Sequence, residues 1–321
     1  MKIEKVTLDH REFFSLAEKY GSVFFTRRWL AMYPSSCLEI FMILDNNNQI
    51  AGGFFHYKIN LLFLRCFFLP PYTPHNGFFL IPRKESITKK YSFEKKVHTL
   101  IADFYRQKRF SLVSLALPDF CTDTQPYYWN NFKVIPHYTY VISLKKTEEE
   151  IFADFSSGRR YDIRKALKDG ITVNQTKDMT LVMELVKKTF SRRNKKLNEF
   201  RLTKILNEYS LPENSFAFVA SWKEVPVAAA FCIHYRNRAY YLLGGYDTSH
   251  KHAGAGACCL WEAIRHARSL GLEYFDFEGS MIPEVEAFFR DFGGKLIPVY
   301  TFNRAVVWIE IILKFIRRNT F

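Results

Sequence analysis

From Tyr246 to Ala267 the chain reads YDTSHKHAGAGACCLWEAIRHA. A strand ends at Tyr246, a loop carries Lys251-x-x-Gly254-x-Gly256, and a helix predicted over Gly254–Ser269 begins at once, with Ala257, Leu260, Trp261 and Ile264 on its apolar face. The first amides of a helix have no partner within it and point toward anions, while glycines let bare backbone come close to one. The stretch therefore predicts an anion site on Lys251, Gly254, Ala255, Gly256 and Ala257, with a pyrophosphate as its natural guest. His250 and His252 add charge there but lack the third ligand that a metal site needs. A loop of small residues that only packs closely gives the same spacing.

Working outward, strands are expected at Phe216–Ser221, Pro226–Tyr235 and Arg238–Gly245, with another at Glu273–Phe277 after the helix. Upstream, Thr147-Glu-Glu-Glu150 reads as a capping box, and the helix Arg159–Lys168 stops at Gly170. Much of this recurs earlier in the chain. NFKVIPHYTY (Asn131–Tyr140) matches DFGGKLIPVYTF (Asp291–Phe302), setting Lys133 against Lys295 at an offset of 162 residues. FMILDNNNQIAGGFF from Phe41 resembles FVASWKEVPVAAAFC from Phe218 at an offset of 177. Two matches in the same order indicate a duplication with its boundary near residue 145. The first half accordingly reads as a helix over His10–Tyr20, strands at Leu38–Leu44 and Gln49–Lys58, a helix over Ser92–Arg109 and a strand at Ser111–Leu117.

Composition agrees with two soluble domains. The 321 residues are 48% hydrophobic and 24% charged, and 17% are aromatic, which favours broad sheets packed by large rings. The net charge of +14 attracts polyanions such as tRNA, nucleoside diphosphates, CoA or an anionic bilayer face. The six cysteines show no CxxC spacing, and MKIEKVTLDHREFF lacks the apolar core of a signal peptide, so a cytoplasmic protein is expected. Cys258 and Cys259 read as core residues. The final run, Ala305 to Phe315 followed by Arg317-Arg318, is too short to span a bilayer. It reads as a docked C-terminal helix, with peripheral contact at the inner face of the membrane as the alternative.

The strand–loop–helix resembles the acyl-CoA pyrophosphate loop of the GNAT acetyltransferases, with Lys251 in place of the usual Arg or Gln. RRYDIRKALKDGITV (Arg159–Val173), Ala228–Ala230, YFDFEGS (Tyr274–Ser280), VEAFFRDFGG (Val285–Gly294) and PPYTPHNGF (Pro70–Phe78) together resemble the FemABX peptidyltransferases and related FemAB-like N-acyltransferases, over nearly the whole chain. The resemblance implies an α/β (α+β) chain of two tandem GNAT-like domains, each a mixed, mostly antiparallel sheet flanked by helices. Residues 1–145 would form an acceptor-side domain without a donor loop, and 146–321 the donor-binding, catalytic one.

The implied reaction is attack of an amine on a thioester or ester carbonyl, which needs a base, oxyanion donors and an acid. Tyr274, Asp276 and Glu278 alternate along a strand, so they are expected on one face near its C-terminal end. Glu278 is the preferred base, Asp276 its rival, and Tyr241 or Tyr246 the acid; a carboxylate tied to an arginine in a structural ion pair is the plain alternative. Arg160 and Arg164 lie with Lys168 on one helix stripe suited to substrate phosphates or simply to solvent, and Arg290 stands where the family frequently has Lys. The expected cosubstrate is acyl-CoA, since aminoacyl-tRNA users need no glycine loop; the alternative is a peptidyltransferase that takes its donor from aminoacyl-tRNA and extends a peptidoglycan peptide bridge. The acceptor would be an amine of a small molecule or cell-envelope precursor. From another class, a non-catalytic RNA- or membrane-binding protein also suits the charge.

Overall fold

The computed structural model describes residues 1–192, 197–250 and 252–321. Its strands are β1 (Lys2–Val6), β2 (Leu38–Leu44), β3 (Ile50–Leu61), β4 (Leu64–Phe68), β5 (Phe79–Leu80), β6 (Leu112–Ala116), β7 (Lys133–Ser143), β8 (Ile171–Thr176), β9 (Ser215–Trp222), β10 (Val225–Tyr235), β11 (Arg238–Tyr246), β12 (Tyr274–Asp276) and β13 (Lys295–Ala305). The chain divides into two compact units, Met1–His137 with Pro298–Phe321, and Tyr138–Ile297.

In the first unit β1, β2, β3 and β4 pair antiparallel in sequence, β4 pairs parallel with β6, and β6 pairs antiparallel with β13. In the second unit β8, β9, β10 and β11 pair antiparallel, β11 pairs parallel with β12, and β12 pairs antiparallel with β7. The order is the same twice, with a helix before each parallel strand, Ile87–Gln107 in one unit and Ala255–Ser269 in the other. The repeated motifs mark equivalent strands: β7 starts at Lys133 and β13 at Lys295.

The division differs from a cut at residue 145 in one respect. The strand that closes each sheet comes from the other repeat, so Pro298–Phe321 belongs with the first unit. Packing explains it. Phe302 lies 4.3 Å from the Tyr127 ring, stacked, and joins the core of Phe54, Phe67, Val97, Ile101, Tyr105 and Val113. The second core gathers Ile142, Ile163, Phe216, Ala228, Ala230, Leu260, Ile264 and Phe275.

Local signals read from the sequence hold where they are self-contained. Thr147 and Glu150 form the reciprocal capping box. The helix Ser157–Lys168 is followed by Gly170 at φ +86°, a conformation that favours glycine. Ala228–Ala230 are buried in β10. In the first unit, a Cβ on Gly52 would lie 2.2 Å from the Phe79 carbonyl oxygen, so the small residue there admits the β5 backbone. The first-unit helix begins at Ile87 rather than Ser92. Its first turns are exposed, with Ile87 and Tyr91 facing outward, and an amphipathic pattern does not reveal such a start.

Candidate functional site

β11 pairs with β12 only from Arg238 to Tyr240, opposite Tyr274 to Asp276, then continues to Tyr246 without it. A bulge interrupts its pairing with β10 at Phe231/Cys232, opposite Leu243 and Tyr241. The sheet therefore opens between these strands at the C-terminal end of β12. The helix Ala255–Ser269 starts beside the opening, as the sequence predicted, with Gly254 at its N-cap and no capping side chain. The Ala255 amide bonds to the His252 carbonyl at 3.1 Å, which leaves the next amides as the orphan donors of a helix start.

The helix Pro283–Arg290 borders the opening. Phe289 packs against Tyr241 and Phe277 at ring distances of 6.0 and 5.0 Å. A Cβ built on Gly256 would lie 4.0 Å from both Phe288 and Tyr246, so this glycine faces room. Gly256, Tyr241 and the chain leading into Glu278 thus meet one cluster of rings.

The other loop residues have different reasons to be there. A Cβ on Gly254 would lie 2.3 Å from the Asp162 carbonyl oxygen and 2.7 Å from the Ala166 Cβ. The helix Ser157–Lys168 crosses Gly254, so close packing is by itself a reason for a small residue there. Ala255 and Ala257 are fully buried. Lys251 lies outside the described residues. The Tyr246 hydroxyl donates to the His252 carbonyl at 3.0 Å and accepts from the His252 amide at 3.2 Å. It braces the loop, and its proton is engaged. His252 accepts from the Gly254 amide through Nδ1 and bonds Asp169 through Nε2. Asp247 takes Lys188, Ser249 and His250, and those hydrogen bonds, Lys188 foremost, hold its carboxyl well below the usual carboxylate range. Cys258 and Cys259 are buried, and burial pushes the Cys258 thiol up to about 12. They are core residues.

The two carboxylates separate. Asp276 is buried and accepts from Thr139 Oγ1 at 2.7 Å, Arg238 at 3.3 Å and the Glu278 amide at 2.9 Å. It is the structural ion pair considered from the sequence, and it pins the turn. Glu278 does not share its strand face: β12 ends at Asp276, and Glu278 and Gly279 take φ of +58° and +69°. A glutamate in that region costs about 1–2 kcal/mol, the kind of strain that surroundings support at functional sites.

The basic stripe is largely engaged. Arg160 donates to the Ala153 and Phe155 carbonyls, both at 2.6 Å, closing the end of the helix Glu148–Asp154. Arg164 lies 5.3 Å from the Phe152 ring. Arg290 is exposed and pairs with Glu286 at 3.4 Å.

Sequence reasoning missed three features. Arg159, 5% exposed, donates to the Phe288 carbonyl at 3.2 Å and lies over the Phe288 and Phe292 rings. Its place in register with buried Ile163 and Ala166 was the available signal. Tyr140 donates to Glu286 at 2.6 Å; burial first, then that carboxylate, pushes its phenol up to about 12. The pair is 146 residues apart, beyond any local pattern. The third lies within the first unit, where a cavity of about 290 Å³ is walled by Phe78, Phe93 and Phe120 and reached by His98. His98 bonds the Tyr127 hydroxyl at 3.0 Å, and burial lowers its pKa to about 4.

Comparison with known proteins shows what the chain is similar to. A sequence profile described as acetyltransferase (GNAT) domain matches residues 157–288. A search of curated proteins gave no match. The crystal structure of FemX aligns with a TM-score of 0.68 at 14% identity, covering 98% of this chain and 99% of that one. A conserved protein of unknown function from Bacteroides thetaiotaomicron aligns at 0.59, with 12% identity over 94% and 99%. A tandem GNAT protein from the clavulanic acid biosynthesis pathway aligns at 0.52, with 10% identity over 95% and 98%. By fold, then, the chain is similar to FemX and to a tandem GNAT protein, and its residues 157–288 match the acetyltransferase (GNAT) domain.

Proposed function

We propose that the protein is an N-acyltransferase that moves an acyl group from a CoA-type donor to an amine of a small molecule or cell-envelope precursor, with the donor held by the second unit. The observation that carries this reading is the uncapped helix start at Gly254–Gly256 beside the end of β11 that has left β12. CoA needs both features. Its pyrophosphate suits the orphan amides near Gly256, with the dipole of the 15-residue helix adding attraction. Its pantetheine arm carries two amides, which can pair with the β11 backbone beyond Tyr240 as a further strand would.

Glu278 serves in this reading as the base that takes the amine proton, positioned by the Asp276 bond to its amide. Tyr241, against Phe289 where the strands part, is the candidate acid. Arg164 and Arg290 are the exposed members of the three proposed substrate arginines. The first unit would serve the acceptor side. Aminoacyl-tRNA is the alternative donor, favoured by the net charge of +14. Calorimetric titration with acetyl-CoA, a longer acyl-CoA and charged tRNA tests the proposal. Saturable binding of a CoA thioester is expected, and binding of charged tRNA alone would refute it.

A further inference from the structure

The hairpin joining β3 to β4 turns at Leu61-Leu62-Phe63. Hairpin tips normally carry Gly, Asn or Asp, which tolerate positive φ and suit water. Here Leu62 sits at φ +53° and is 97% exposed, and Phe63 is 80% exposed. Neither side chain is buried in the core of the unit.

A distant segment joins them. The helix Val307–Ile316 touches the first unit along one edge, where Ile309 is buried and Leu313 packs beside it with Phe321, Leu64 and Leu112. At 100° per residue, Val307, Trp308, Ile311, Ile312, Phe315 and Ile316 cover about half of its circumference, and all six are exposed. Glu310 and Lys314, paired at 3.0 Å, occupy a narrow strip. The Trp308 and Phe63 rings lie 6.5 Å apart, so tip and helix form one apolar face from residues about 245 positions apart in sequence. A contiguous exposed face of this kind marks an interaction surface.

Charge selects the partner. Arg65 adjoins the tip, and Arg317 and Arg318 follow the helix; all three are exposed and have no ion-pair partner among the described residues. No helix among those residues is long and apolar enough to cross a membrane. We propose that this face docks on an anionic phospholipid bilayer, with the Leu61–Phe63 tip and the Trp308–Phe315 side of the helix immersed at the headgroup boundary and the arginines on lipid phosphates. An amphipathic helix with Trp and Phe on its apolar side and flanking Arg is suited to lie in that plane. A second copy of this chain suits the face less well, since an isologous contact draws the same three arginines into one interface.

The test is flotation with vesicles of phosphatidylcholine alone and of phosphatidylcholine with phosphatidylglycerol in equal parts, alongside sedimentation to read self-association. Each arginine near an anionic surface is worth about fivefold in affinity, so the mixed vesicles should bind on the order of a hundredfold more tightly at low salt. Leu62→Asn, Phe63→Ser and Phe315→Ser, combined, should lower binding at least tenfold, on the order expected for that apolar area, with an unchanged thermal transition because all three side chains are exposed. Equal binding by the triple variant, or none by the wild type, would overturn the proposal. Equal binding to both vesicle types would overturn the anionic assignment. A wild-type dimer that the triple variant turns to monomer, without vesicle binding, would assign the face to a second copy.

Discussion

Gly254 and Gly256 stand two residues apart, yet the structure gives them separate tasks that substitution can resolve. Gly254 has φ −91° and ψ −6°, a conformation open to alanine, so Gly254→Ala brings no backbone strain. Its methyl would enter a space bounded by the Asp162 carbonyl oxygen at 2.3 Å and the Ala166 Cβ at 2.7 Å. Neither neighbour is the flexible end of a side chain, so the helix Ser157–Lys168 must move away by roughly an ångström. Overpacking of that kind costs about 1–3 kcal/mol, and the rigidity of the backbone places Gly254→Ala at about 3. A Cβ at Gly256 meets nothing nearer than 4.0 Å. Gly256→Ala should leave stability unchanged or raise it by up to about 1 kcal/mol, since glycine is the poorer helix residue. Urea unfolding followed by circular dichroism measures both. Donor binding should divide the other way. Gly256→Val puts a branched side chain where a pyrophosphate would approach, weakening CoA by about 30-fold or more while the fold persists, as expected for the loss of charge-assisted hydrogen bonds worth about 2 kcal/mol. Equal stabilities for Gly254→Ala and Gly256→Ala would refute the packing argument. Unchanged CoA affinity in Gly256→Val would refute the site.

Glu278→Gln should slow turnover by about a hundredfold with donor affinity intact, the scale expected for losing a general base, while Asp276→Asn should lower the melting temperature because it weakens bonds to Arg238 and the Glu278 amide; steady-state kinetics beside thermal melts check both. Acid should destabilise the first unit through His98. Its folded pKa of about 4 lies below the ordinary 6.5, so the unfolded chain takes the proton first, and stability present above pH 6.5 is lost as pH falls toward 4. The loss by pH 4.5 is about 2–3 kcal/mol, and the difference between urea unfolding at pH 7.5 and 4.5 should shrink by that amount in His98→Gln. An equally steep acid limb in that variant would show that His98 is not the group responsible.

What the sequence determined by itself is what neighbouring residues decide among themselves. The Thr147–Glu150 box, the stop at Gly170, the helix after Tyr246 and the doubled strand motifs at Lys133 and Lys295 all follow from caps, periodicity and repetition. These features involve side chains within a turn or two, so spacing is sufficient to place them. The tertiary structure decided what depends on a distant neighbour. Arg160 points at two carbonyls of the preceding helix end, and Gly254 lies beneath Asp162, about ninety positions earlier. Glu278 leaves the strand because Asp276, held by Thr139 of β7, pins the turn beneath it. The exchange that places β13 beside β6 and β7 beside β12 also lay beyond local reading. Two similar strands carry the same propensities, and only the fit of a side chain such as Phe302 into the core around Tyr127 selects the sheet that each one closes.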